Sequence, residues 1–211
     1  SGVEIPLAYL LIPGILIYGL LKLRKLFLMP KSWQYKMVQC VYSIIAFTFG
    51  LVFFFQLLWG FNYSRISVEE QLGLSLKKIQ VDEIEMALES QTEVLITRRI
   101  KIYPEVMFYE GESQNIEAFF TMPELKNSLE ETLQSGGYPI TGSVQGKIIH
   151  PKGILLRFGT SGLYLPYTGQ GHIDGGLHIL QVPFVTAHEM AHGYGFGDEG
   201  TCNFWAYLAC V

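Results

Sequence analysis

Residues 182–203 read VPFVTAHEMAHGYGFGDEGTCN, and they decide how the C-terminal half of this chain is understood. Pro183 suits the first turn of a helix, and Gly193, Gly195 and Gly197 end it. On that helix His188 and His192 stand at i and i+4, one turn apart on one face. This spacing lets two imidazoles bind a single Zn²⁺. Glu189 follows the first histidine and is the expected general base for a water activated by the zinc. Phe184, Val185, Ala187, Met190 and Ala191 supply apolar packing around the ligands. With five histidines and 16 glutamates in the chain, chance produces this pattern in roughly one such sequence in 100.

A catalytic zinc takes three protein ligands and keeps one position open. Two acids follow the turn. Asp198 lies ten residues after His188, and Glu199 opens the run EGTCN. On a helix Glu199 and Asn203 share a face, so Asn203 can hydrogen-bond a ligand from outside. Spacing alone leaves both Asp198 and Glu199 open as the third ligand. His172 and His178 precede the motif and read as ordinary polar residues. Tyr164, Tyr167, Tyr194 and Tyr207 are the hydroxyls that could serve a tetrahedral oxyanion.

Outward from the motif, the rest of the chain changes character. It has 211 residues, of which 49 % are hydrophobic and only 16 % charged, well below the quarter or so of an ordinary soluble domain. The apolar residues concentrate at the N-terminal end. Residues 37–61 contain no charged residue and no histidine, and as a helix they extend about 37 Å, enough to cross a hydrocarbon core of about 30 Å. Trp33 and Tyr35 before them, with Trp59 and Tyr63 at their far end, fit interfacial anchors. Residues 5–21 form a second uncharged run, interrupted by Pro13 and Gly14, and read as a second span. Lys22, Arg24, Lys25, Lys31 and Lys36 lie between the runs with no acid among them, so this loop should stay in the cytoplasm.

The expected organisation is a transmembrane hairpin over residues 1–61, with spans at about 5–21 and 37–61 and a basic loop at 22–36. An extracytoplasmic domain over 62–211 would follow. That domain carries 10 Lys and Arg against 18 Asp and Glu, net −8. Together with a whole-chain charge of −4, this argues against a nucleic-acid partner. Within it, Asp82 with Glu85 and Thr121 with Glu124 read as capping boxes opening helices, the second ending at Gly136 and Gly137. Apolar runs at 147–149, 154–158 and 162–165 read as strands of a small sheet, the last a possible edge for pairing with an extended peptide. The fold class is therefore membrane α+β. The three cysteines, Cys40, Cys202 and Cys210, are too far apart to predict an intrachain disulfide. The apolar run into Val211 has no C-cap, which reads as a chain that continues.

HExxHxxGxxD over residues 188–198 resembles the metzincin pattern with Asp198 in place of its third histidine. Glu199 to Asn203 resembles the ExxAD element of gluzincins, with Cys202 for the alanine and Asn203 for the aspartate. A longer series, WGFNYSR at 59–65, GLYLPYT at 162–168, VPFVT at 182–186, the HEMAH, and NFWAYLAC at 203–210, resembles an uncharacterised bacterial family of predicted membrane-anchored zinc peptidases. Thr201 and Cys202 depart from that family's usual residues. The resemblance implies a zincin-like, gluzincin-type domain in which His188, His192 and Glu199 bind zinc, Glu189 is catalytic, Asn203 supports the site, and Asp198 is the alternative ligand. It also implies a metalloendopeptidase in the inner or plasma membrane, acting outside the cytoplasm on a peptide or protein substrate, with the lipid bilayer as its other partner. The rival expectation is a non-catalytic membrane-anchored binding module with a structural or vestigial zinc site.

Overall fold

The computed structural model describes residues 5–75, 79–102 and 120–211. The chain divides into two compact units, one of residues 1–65 with 116–211 and the other of residues 66–115.

The first unit opens with two helices, α1 (Ala8–Leu28) and α2 (Trp33–Leu58). Ser32 caps α2 by accepting from the Tyr35 amide, and Lys36 Nζ reaches back to the Phe27 carbonyl at 2.7 Å. Among the described residues, α2 is the one helix long and apolar enough to cross a membrane, with a mean hydropathy of 2.1 and none of that window buried. The uncharged run at 5–21 becomes helical only at Ala8, so its helical part up to Leu21 is about 21 Å long. Lys22, Arg24 and Lys25 then continue the same helix.

The smaller unit holds α3 (Val68–Gln71), capped by Ser67, and α4 (Val81–Ile102). The expected Asp82–Glu85 box is not the start of this helix, which opens two residues earlier. Helix α4 begins at Val81, and the Gln80 amide donates to Glu83.

In the first unit the chain resumes with α5 (Met122–Ser135), opened by the expected box: the Glu124 amide donates to Thr121, and the Thr121 amide to Glu124. Leu125, Leu129 and Leu133 recur at i, i+4 and i+8 and are buried. A sheet follows, of β1 (Gln145–Ile149), β2 (Gly162–Leu165) and β3 (Gln170–Asp174), in the order β1-β3-β2. Strand β3 is parallel to β1 and antiparallel to β2, so β2 is an edge. Helices α6 (Val182–Gly193) and α7 (Glu199–Cys210) complete the unit. Trp205 of α7 is fully buried and meets Tyr138 and Phe196 ring to ring.

One strand expectation differs from the structure, and one strand is additional to those expected. Residues 154–158 form turns and a single 3-10 turn (Leu156–Phe158), while β3 is the strand at the centre of the sheet. The Asp174 carboxylate at the end of β3 accepts the amides of Gly153 (2.6 Å), Leu155 (2.6 Å), Leu156 (3.2 Å) and Gly176 (2.7 Å). A loop wound around one carboxylate in this way cannot also give those amides to a ladder.

The sheet lies directly on α6. A Cβ on Gly162 would come within 2.5 Å of the Glu189 carboxylate, and one on Gly171 within 2.6 Å of Glu189 Cβ. These two glycines make the space into which Glu189 fits.

Candidate metal centre

The site grows from the α6–α7 corner. Helix α6 buries Glu189 and His192 on its inner side. Its C-terminus is turned by Gly195 at φ +95°, a conformation that favours glycine. The chain then enters α7 at Glu199. Asp198 is the N-cap of that helix, its Oδ1 accepting from the Thr201 amide at 2.8 Å. That leaves Glu199, the first helical residue, facing back toward α6.

Three side chains converge there. His188 Nε2 lies 3.0 Å from Glu199 Oε2, and His192 Nε2 lies 3.4 Å from Glu199 Oε1. The ligand atoms of His188, His192 and Glu199 all fall within 4.8 Å of one another. Ligands about 2.0–2.1 Å from a tetrahedral zinc stand about 3.3 Å apart, so these separations suit one ion. Asp198 is not part of this group.

The outer nitrogens test whether a cation fits. His188 Nδ1 donates to Asn203 Oδ1 at 2.9 Å, and His192 Nδ1 to the Phe196 carbonyl at 2.8 Å. In a neutral ring this leaves Nε2 as an acceptor, aimed at carboxylate oxygens that are acceptors too. Only a proton or a metal ion reconciles two acceptors at these distances. Burial, with His192 close by, holds His188 below the usual imidazole range despite the opposing pull of Asn203 and Glu199. That favours the neutral, metal-binding ring over a proton. Cys202 Sγ sits behind His192, 3.3 Å from its Nδ1. Burial and the surrounding carboxylates push that thiol far up, so it packs as a neutral group.

Glu189 borders the same cavity. Burial and the charge of Glu199 push its carboxyl up to about 8, against the lowering effect of a hydrogen bond from the Tyr164 amide. The cavity, of about 610 Å³, is lined by His188, Glu189, His192 and Glu199, by Gly162 to Tyr164 of β2, and by Phe55, Trp59 and Tyr63 from the end of α2 and the turn after it. The Trp59 indole N–H donates to the His192 carbonyl at 3.1 Å, and its ring meets Tyr63, Tyr164 and His192.

The sequence places Trp59 and Tyr63 only at a membrane interface and does not bring them to the metal centre. Their one signal is their position in the WGFNYSR segment. Of the four tyrosines considered, Tyr164 alone lines the cavity. Tyr194 donates to Glu130 of α5, Tyr167 donates to the Leu51 carbonyl, and Tyr207 is exposed on α7. His172 is buried on β3 with Nδ1 3.3 Å from the Leu163 carbonyl, and the Leu180 amide donates to His178 Nδ1 in the turn before α6.

No curated protein and no solved structure matches the chain. A family model does, over residues 1–211: the chain belongs to the family described as protein of unknown function DUF3810.

Proposed function

We propose that this chain is a membrane-anchored zinc metallopeptidase of zincin type. The observation that carries the reading is the convergence of His188, His192 and Glu199 beside Glu189 in an open cleft. Zinc held there supplies a Lewis acid that acidifies water and polarises a carbonyl. The chain's own residues do the rest. Asn203 and the Phe196 carbonyl hold the imidazoles in the tautomer that presents Nε2. Glu189 takes the proton of the attacking water and returns it to the leaving amine. The outer edge of β2, beside the cleft, takes an extended peptide as an added strand.

In this reading α1 and α2 form a transmembrane hairpin in the inner or plasma membrane. Lys22, within α1, extends its charge toward the headgroups and so lengthens the short apolar part of that helix. The basic segment 22–36 stays cytoplasmic and puts the catalytic domain outside.

The test uses the purified full chain in detergent. The native chain carries one zinc and cleaves peptides from a mixed pool. Glu189→Gln keeps the zinc and loses about 10²- to 10⁴-fold in rate. A chain without zinc affinity overturns the proposal. Equal behaviour of a zinc-bearing native chain and its Gln variant selects the non-catalytic binding module instead.

A further inference from the structure

We infer that the site acts on polypeptides anchored in the same membrane, cutting them within a few residues of where they leave the bilayer. The inference rests on the peptidase reading above and adds the position of the scissile bond.

It starts from α2, whose 26 residues include the apolar window that suits a membrane span. Phe55 in its last turn, and Trp59 immediately after it, form part of the cleft wall that also holds His188, Glu189 and Glu199. The Trp59 N–H bond to the His192 carbonyl leaves no stalk between the helix end and the metal centre. The domain also grips the side of the helix. Tyr167 donates to the carbonyl of Leu51, which lies about 10 Å back along α2 from Leu58. The start of α1 is fastened to the same sheet, with the Leu7 amide on Gln170 Oε1 at 2.8 Å and the Tyr9 hydroxyl on the His150 carbonyl at 2.8 Å. The metal centre is therefore fixed at the level where α1 starts and α2 ends.

The mouth of the cleft has the matching chemistry. Leu163 and Phe184 line it while 50 % and 36 % exposed, and Phe158, next to cleft-lining Gly159, is 83 % exposed. On α2, which contributes Phe55 to the same lining, Phe54, Leu57 and Leu58 are exposed as well. Thr160, Glu199 and Asn203 form the exposed polar part of the same lining. Exposed apolar residues on a cleft whose wall includes the end of a membrane-type helix suit a chain arriving along the bilayer surface. An anchored substrate also reaches it at a high effective concentration.

The full chain in lipid nanodiscs is offered a library of randomised tails of about 30 residues, either fused to one transmembrane helix or free in solution, with cuts mapped by mass spectrometry. We expect the anchored library to be cut at least about tenfold faster, with cuts clustered within about ten residues of its anchor. Equal rates, or cuts spread evenly along the tail, overturn the inference and leave the peptidase reading standing. No cutting of either library by the zinc-bearing chain overturns both. A second measurement needs no activity. In a Cys40→Ser, Cys210→Ser background, nitroxides replace Phe158, Leu163 and, on α5, Glu131. Labels at 158 and 163 should collide preferentially with oxygen dissolved in lipid, and the one at 131 with an aqueous nickel complex. Fully aqueous behaviour at 158 and 163 overturns the inference.

Discussion

One wall of the cleft is the α6–α7 corner, where His188, Glu189, His192, Glu199 and Asn203 fall within a single stretch of the chain. The opposite wall joins Phe55 and Trp59 to Gly162, Leu163 and Tyr164, about a hundred residues away in sequence. The first wall is set by local geometry: a helical turn brings two histidines together, a left-handed glycine reverses the chain, and a capped second helix returns a carboxylate. The second depends on long-range contacts, such as the Trp59 bond to the His192 carbonyl, 133 residues distant. Donors for a metal can be specified by spacing, whereas the space around them has to be assembled by the fold.

The strongest way to break this contrast is inside the corner. Glu199→Ala should lower zinc affinity by about 10³-fold, about 4 kcal/mol, as measured by competition with a chelator. Asp198→Ala, one residue earlier, should leave zinc affinity unchanged. It should cost about 1 kcal/mol of stability through loss of the α7 cap. If the two variants exchange these effects, Asp198 is the ligand.

The next largest effect belongs to the other wall. Asp174 is fully buried and organises the loop that leads into β2. Asp174→Asn keeps one carbonyl oxygen but sets an amide donor against two backbone N–H groups. The expected cost is about 3 kcal/mol, a fall in Tm of roughly 6–12 °C for a chain of this size. Burial pushes this carboxyl up, but the four amides outweigh it and hold it below its ordinary value. A depressed pKa stabilises the fold above the unfolded value of about 3.9 and loses that contribution as pH falls through the folded value. The gap in Tm between native chain and variant should therefore narrow below about pH 4. A gap that stays constant down to pH 2 would show that the carboxylate's charge is not what holds the loop.

What could be read from sequence follows the same division. The Thr121–Glu124 box and the His188–His192 spacing are relations within one or two helical turns, and both appear in the structure. Strand β3 carries no strand signal in the sequence because QGHID has a single strongly apolar residue. It is buried all the same, with Gln170 bonded to the α1 start and Asp174 to its loop. The run at 154–158 looks like a strand because of its leucines, but its amides belong to Asp174. Spacing alone does not separate Asp198 from Glu199 as the third ligand. In the structure, the capping bond to Thr201 engages Asp198 and leaves Glu199 to face the histidines.

The smallest effect offers the sharpest view of how the two walls are coupled. Trp59→Phe keeps an aromatic ring against Tyr63, Tyr164 and His192 but removes the N–H donated to the His192 carbonyl. The carbonyl lies in the last turn of α6 and also accepts from the Gly195 amide at 2.9 Å, so the variant loses one of its bonds and not all of them. Losing one such bond costs about 1 kcal/mol. It acts on the backbone that aims His192 Nε2, so about a fivefold weakening of zinc binding should follow, with little change in Tm. Trp59→Ala, which also empties the ring's place, should weaken binding further and lower Tm. If Trp59→Phe binds zinc as the native chain does, the α2 wall shapes the cleft without steadying the metal centre, and the two walls are energetically independent.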